Sequence, residues 1–120
     1  AKEMVLQPRQ TCPEHIHAPI KDIGYMGKEE TFRCRYGKVY LYIDGKTVTD
    51  IKANVPDEYY YVFHEIVLLP GQQFTMLPNT WHWFQAGDEG AVISEFSTSS
   101  RDECDHFRNP EIRRMPTVEE

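Results

Sequence analysis

The chain has 120 residues and a mass of 14.1 kDa, with 40% apolar and 27% charged residues, 19 acidic against 13 basic side chains and a net charge of −6. That is enough chain for one globular domain, expected over 1–120. The acidic balance without a basic stripe excludes a nucleic-acid reader, and no apolar run approaches the roughly 18 residues of a membrane span.

The first ten residues, AKEMVLQPRQ, carry no secretory h-region. Three widely spaced cysteines, Cys12, Cys34 and Cys104, form neither a CxxC pair nor an even set. They read as free thiols in a reducing compartment, which points to the cytoplasm.

Elements follow in chain order. Thr31 to Arg35 alternates, with Phe32 and Cys34 on one face and Thr31, Arg33 and Arg35 on the other, as a half-buried strand does. Gly37 breaks it. Lys38 to Ile43 resumes with Val39, Leu41 and Ile43 on one face and Tyr40 and Tyr42 on the other, and Asp44-Gly45 predicts a tight hairpin turn. Glu58 to Leu69 reads as one long strand, apolar on both sides, closed by Pro70-Gly71. Phe74 to Leu77, Trp81 to Gln85 and Ala91 to Ser97 read as three more strands, the last two separated by a turn at Gly87-Asp88-Glu89-Gly90. Only Ser99 to Phe107 reads as helical, with Ser100 and Glu103 as a capping box and Pro110 as a stop. Many short strands at close spacing predict an all-β sandwich or barrel with a short C-terminal helical segment.

A small barrel lines its interior with alternate residues of each strand, so polar side chains at inward positions need a reason. His15 and His17, two residues apart on an extended segment, project to one face. Glu30 shares the face of Phe32 and Cys34, whereas Glu29 faces water with Thr31; Lys28 falls on the side of Glu30. His82 follows the turn at Pro78-Asn79 and shares parity with Phe84. Three imidazoles and one carboxylate suit a divalent transition metal with open positions, a Lewis acid of residual positive charge. Glu95, in the apolar run Ala91 to Ser97, needs either a purpose or a partner such as Arg33 or Arg35.

The remaining features carry less. Trp81, Trp83 and Phe84 are open to stacking on a flat ligand face or to plain packing. His64 shares parity with Ile66 and Leu68 and points inward if that alternation holds. Arg101, Asp102, Glu103, Asp105 and Arg108 read as a solvated charge run. Tyr59-Tyr60-Tyr61, apolar on both faces, implies a partner subunit on one of them.

The order of these residues resembles a known pattern. His15-x-His17, then Glu30 followed by six residues and Gly37, resembles the first cupin motif, and Pro70-Gly71 with Pro78-x-x-x-His82 resembles the second. The metal-site motifs thus fall in 15–37 and 70–84 of a single small double-stranded β-helix, or jelly-roll barrel. The long gap between His17 and Glu30 implies a loop inserted near the metal. More specifically, Cys12-Pro-Glu-His-x-His, the run from Gly27 to Tyr42, His64-Glu-Ile-Val-Leu, Pro78-Asn-Thr-x-His-Trp-Phe-Gln-Ala-Gly and Val92-Ile-Ser-Glu-Phe-Ser-Thr resemble the D-lyxose isomerase family of metal-dependent cupins.

That resemblance implies an aldose–ketose isomerase interconverting D-lyxose with D-xylulose and D-mannose with D-fructose, and a homodimer. The metal would be held by His15, His17, Glu30 and His82, with Mn²⁺ as the usual ion and Zn²⁺, Co²⁺, Ni²⁺ or Fe²⁺ chemically open. Lys28 and Glu95 are the candidates for moving a proton between C2 and C1 through a cis-enediolate; a metal-assisted hydride shift is the other route. Two rivals share the pocket: a non-catalytic sugar-binding cupin and a metal-dependent cupin dioxygenase.

Overall fold

The computed structural model of the protein describes residues 1–99 and 105–112. In chain order the strands are β1 (Lys2–Leu6), β2 (Thr11–His17), β3 (Glu30–Ile43), β4 (His64–Leu68), β5 (Gln73–Met76), β6 (His82–Ser97) and β7 (Asp105–Phe107), with one 3₁₀ turn at Lys21–Ile23. Every pairing is antiparallel, in the order β4-β3-β6-β2-β7, with β1 added to β6 and β5 to β3.

The architecture is a cupin barrel, and one pair of strands organises it. β3 and β6 run together from Glu30↔Ser97 to Ile43↔His82. Neither is interrupted as the sequence implies: the two strands expected on either side of Gly37, and the two on either side of Gly87 to Gly90, are single strands carrying bulges. The register shifts between Cys34 and Tyr36 and again between Gly37 and Val39. A bulge bends a strand and changes which parity faces inward. Phe32 and Cys34 are therefore inward before the bend, and Val39 and Leu41 after it, in one core with Leu68, Met76, Phe84, Ala86, Ala91 and Ile93. The folded ribbon closes on its own apolar face, while β5 and β1 extend one half and β4 and β2 the other.

Gly37 makes the bend possible. It sits at φ +74°, and a Cβ there would lie 2.0 Å from the carbonyl oxygen of Gly90.

A second cluster covers the outer face of the ribbon. Trp83 stacks on Tyr42 at 4.3 Å between ring centroids and meets Tyr60 edge-on at 4.7 Å. Here the structure corrects the sequence reading. Asp44-Gly45 opens no tight hairpin; the chain from 44 to 63 makes a long excursion over this face before β4 begins at His64. Tyr59-Tyr60-Tyr61 is loop, not strand, because side chains satisfy its backbone. Glu14 accepts from the amides of Tyr61 (2.8 Å) and Val62 (3.0 Å), and Trp83 Nε1 donates to the Val62 carbonyl (2.8 Å). Tyr60 of this run is buried against Trp83, while Tyr61 is exposed.

The expected helix over Ser99 to Phe107 also changes. Asp105–Phe107 is strand, paired with β2 as His15↔Phe107 and His17↔Asp105. Ser100 to Cys104 lie outside the described residues, as do Arg101, Asp102 and Glu103 of the charge run. β1 and most of β2 went unread, since Lys2–Leu6 is short and largely exposed.

The loop over the outer face is latched by Glu65. Its carboxylate accepts from Tyr42 OH (2.8 Å), the Lys52 amide (3.0 Å) and Lys52 Nζ (2.6 Å). Burial pushes the Glu65 carboxyl upward, but the hydrogen bonds from Lys52 and Tyr42 outweigh it and hold the group below its ordinary value. A depressed carboxylate contributes stability that is fully present above the unfolded value of about 4.3 and is lost as pH falls through the folded value.

Two outcomes follow for denaturant unfolding. Gly37→Ala should lose about 2–4 kcal/mol, from positive-φ strain plus collision with Gly90. Glu65→Gln should lose about 1–3 kcal/mol at pH 7, and the difference from wild type should shrink as pH falls below about 4.

Candidate metal centre

The residues singled out by parity converge. His15 and His17 come from β2, Glu30 from the start of β3 and His82 from the start of β6. All four are at most 3% exposed. The ring centroids of His15 and His82 are 4.2 Å apart, those of His15 and His17 4.8 Å, and those of His17 and His82 5.4 Å. One ligand atom from each imidazole lies within 4.8 Å of the others. Glu30 Oε1 stands 2.8 Å from His17 Nε2 and 3.4 Å from His82 Nε2.

Each ring is held by its other nitrogen. His15 Nδ1 meets the Pro13 carbonyl at 2.8 Å and His82 Nδ1 the Thr80 carbonyl at 2.9 Å; His17 Nδ1 meets the Asp105 carboxylate. These acceptors require a proton on Nδ1, so in the neutral rings the Nε2 lone pairs face inward. Local sequence explains the first tether. Pro13 has no N–H to give a ladder, the register slips between Cys12 and His15, and the Pro13 carbonyl turns to its neighbour.

Electrostatics follow from burial and neighbours. Burial lowers the imidazole pKa of both His15 and His82. Burial also opposes protonation of His17, but the carboxylates of Asp105 and Glu30 win and raise it to about 9. Burial pushes both Glu30 and Glu95 upward. For Glu30, the hydrogen bond from His17 reverses this and holds it well below the carboxylate range. Glu95 stays raised because the Glu30 carboxylate lies beside it, although Lys28 and Lys2 pull it back.

The two candidates for proton handling sit beside this group. Lys28 Nζ is 3.5 Å from Glu30 Oε2 and 3.6 Å from Glu95 Oε2, and both residues are buried. Gly27 lets the inserted loop deliver Lys28: at φ +95°, a Cβ there would stand 2.8 Å from the His17 carbonyl. Lys28, Glu30 and Glu95 share a cavity of about 60 Å³ with His15, His17 and Lys2.

Other expectations land elsewhere. Arg35 Nε donates to Ser94 Oγ rather than to Glu95, whose partners are Lys28 and Lys2, the latter at 3.4 Å from β1. His64 lies away from the cavity, its Nδ1 3.0 Å from the Lys46 carbonyl. Trp83 is buried in the outer cluster and Trp81 lies under the Arg108 guanidinium at 3.8 Å, so neither ring faces the cavity; Phe84 lines it. Asp105 and Arg108 are not a solvated face, since one binds His17 and the other pairs with Glu14.

Lys2, Glu14 and Asp105 are the residues that sequence reasoning missed. Glu14 alone carried a signal, as a charge wedged between Pro13 and His15.

Comparison with known proteins agrees with this geometry. The family model described as D-lyxose isomerase matches residues 1–120. The D-lyxose ketol-isomerase of Cohnella laeviribosi is 57% identical over 99% of this chain and 66% of its own length. The D-lyxose/D-mannose isomerase of Thermosediminibacter oceani is 56% identical over 100% of this chain and 67% of its own. The chain thus spans about two thirds of the length of these relatives.

Among solved structures, Cellulomonas parahominis L-ribose isomerase with L-psicose superposes with a TM-score of 0.66 at 17% identity, covering 90% of this chain and 57% of that one. Recombinant oxalate oxidase with glycolate reaches 0.57 at 19%, covering 88% and 43%. At such identities these two carry the fold. The family model and the sequence relatives carry more: the chain belongs to the D-lyxose isomerase family.

Proposed function

We propose that the protein is a metal-dependent aldose–ketose isomerase that converts D-lyxose to D-xylulose and D-mannose to D-fructose, with residues 1–120 forming its cupin domain. One observation carries this reading. Three imidazoles, each tethered at Nδ1, gather beside a buried carboxylate that His17 Nε2 and His82 Nε2 face, next to a lysine and a second carboxylate that are not needed as ligands.

The donor set fits a metal. His82 Nε2 is buried and makes no hydrogen bond, and a buried polar atom without a partner costs about 1–3 kcal/mol. His15, His17, Glu30 and His82 would hold a divalent ion, with Mn²⁺ as the working choice. Bound there, the ion would polarise the sugar carbonyl and stabilise negative charge as it develops.

The chain's own residues supply the rest. Glu95, kept basic by burial and by Glu30, takes the proton from C2 and returns it at C1 by way of a cis-enediolate. Lys28, between the two carboxylates, gives a proton to O1 as charge builds there and recovers one from the C2 hydroxyl as the ketone forms. Lys2 faces the outer side of Glu95. The apolar floor of Phe32 and Phe84 keeps water from this proton.

The names of the relatives support the sugar class: a D-lyxose ketol-isomerase and a D-lyxose/D-mannose isomerase. The free thiol of buried Cys34 supports a cytoplasmic setting. A homodimer belongs to the same reading. No helix among the described residues is long and apolar enough to cross a membrane.

The decisive assay is anaerobic incubation of the Mn²⁺-loaded protein with D-lyxose or D-mannose, read as ketose formed. Turnover without oxygen is expected; saturable sugar binding with no ketose would overturn the isomerase reading. Glu95→Gln and Lys28→Met should each lower kcat about 10²–10⁴-fold at full metal content. Glu30→Gln should lose metal and activity together, whereas Glu29→Gln, an exposed neighbour, should lose neither.

A further inference from the structure

β7 is three residues long, yet it touches the ligand segment at consecutive points. Asp105 reaches His17 Nδ1, Phe107 lies on the His15 ring at 5.3 Å between centroids with 32° between planes, and Arg108 pairs with Glu14 while its amide donates to the Glu14 carbonyl at 3.1 Å. Asp105 is the contact with chemical consequence. Its side chain is 3% exposed, and the register sets it directly opposite His17.

The three histidines are not tethered alike. His15 and His82 donate to backbone carbonyls supplied by residues two positions before them, Pro13 and Thr80. His17 alone donates to a carboxylate, and that carboxylate comes from a strand remote in sequence. A carboxylate behind a ligating imidazole fixes its tautomer and ring plane and makes its free nitrogen a better donor. It also settles the charge. A divalent ion among three neutral rings and Glu30 leaves one buried positive charge, and Asp105 cancels it in a region that water does not screen. Lys28 and Glu95 already balance each other.

We propose that Asp105 is a positioning residue for the metal centre: it holds His17 in its ligating orientation and supplies the second negative charge that a bound divalent ion requires. The proposal rests on the metal reading above. It assigns to the C-terminal strand a part in metal retention that none of the four ligands reveals.

The test titrates the metal-free full chain with Mn²⁺, reading the free hydrated ion by electron paramagnetic resonance, for wild type, Asp105→Asn and Asp105→Glu. Thermal unfolding is recorded with and without Mn²⁺. Asp105→Asn keeps an acceptor of the same size and removes only the charge. It should weaken Mn²⁺ binding about 10–100-fold and shrink the metal-induced rise in Tm. Asp105→Glu, which keeps the charge, should bind more tightly than Asp105→Asn, and it still offers a measurement if Asp105→Asn does not fold.

A merely structural residue would lower the metal-free Tm and leave Mn²⁺ affinity within about threefold of wild type; that result, or equal affinities in the two variants, overturns the proposal. Absence of Mn²⁺ binding in wild type overturns the metal reading and this proposal with it, so the two failures are distinguishable.

Discussion

The pairing of β3 with β6, folded at Gly37 against Gly90, is the constraint on which the rest depends. Glu30 starts one strand and His82 the other, so along the ribbon they lie at opposite ends: Glu30 pairs with Ser97 and His82 with Ile43. Yet Glu30 Oε1 stands 3.4 Å from His82 Nε2. Only a ribbon bent back on itself brings these ends together, and the bend needs a residue without Cβ where the Gly37 and Gly90 backbones approach. The same bend closes the apolar face into a core, so burial of Phe32, Leu41, Phe84 and Ile93 and assembly of the ligand set are one event. β2 then adds its two histidines along the edge of β6, in register with His82.

Within that frame, the arrangement follows from accounting for buried polar groups. A buried N–H or carboxylate without a partner is costly, and nearly every one near the site has found one. Glu14, 1% exposed, takes two loop amides and Arg108. Gln85 bridges Thr11 and the Asn54 backbone. Each histidine Nδ1 has its acceptor. Against that background, the orphaned Nε2 atom of His82 stands out. The outer face follows the same rule: the loop 44–63 stays out of the sheet because the side chains of Glu14, Glu65 and Trp83 satisfy its backbone in place of a ladder.

What could be read from the chain alone was what period-2 alternation decides. Parity placed Glu30 inward and Glu29 outward, paired His15 with His17, and separated His82 and Phe84 from Trp83, all as the structure has them. Parity fails where bulges change it, which is why Gly37 and Gly87 to Gly90 looked like the ends of strands. It is also silent on side chains that replace ladder partners. The aromatic run at 58–63 has strand composition, and nothing local reveals that Glu14, far away in sequence, caps its amides. Asp105 was out of reach for the same reason: its neighbours Glu103 and Arg108 give a surface-like charge pattern, and only the pairing of β7 with β2 turns it inward. Lys2 belongs to a strand too short and too exposed to show periodicity.

A site built this way carries a cost when empty. Two carboxylates, Glu30 and Glu95, share one small cavity, and the imidazoles crowd around the first of them. Each carboxylate must hold off the other, and desolvation acts against both. Packing around the cavity adds to the ion pairs of His17, Lys28 and Lys2 within it: the core under Phe32 and Phe84, the latch of Arg108 on Glu14 and the pairing of β7 with β2. Such preorganisation lowers stability and raises affinity for whatever relieves the strain, since a ligand that binds only the folded state returns its binding energy as stability. A dication would neutralise Glu30, engage the orphaned His82 nitrogen and leave Glu95 and Lys28 facing the remaining space. The barrel around the cavity supplies the rigidity that lets this arrangement of buried charge persist.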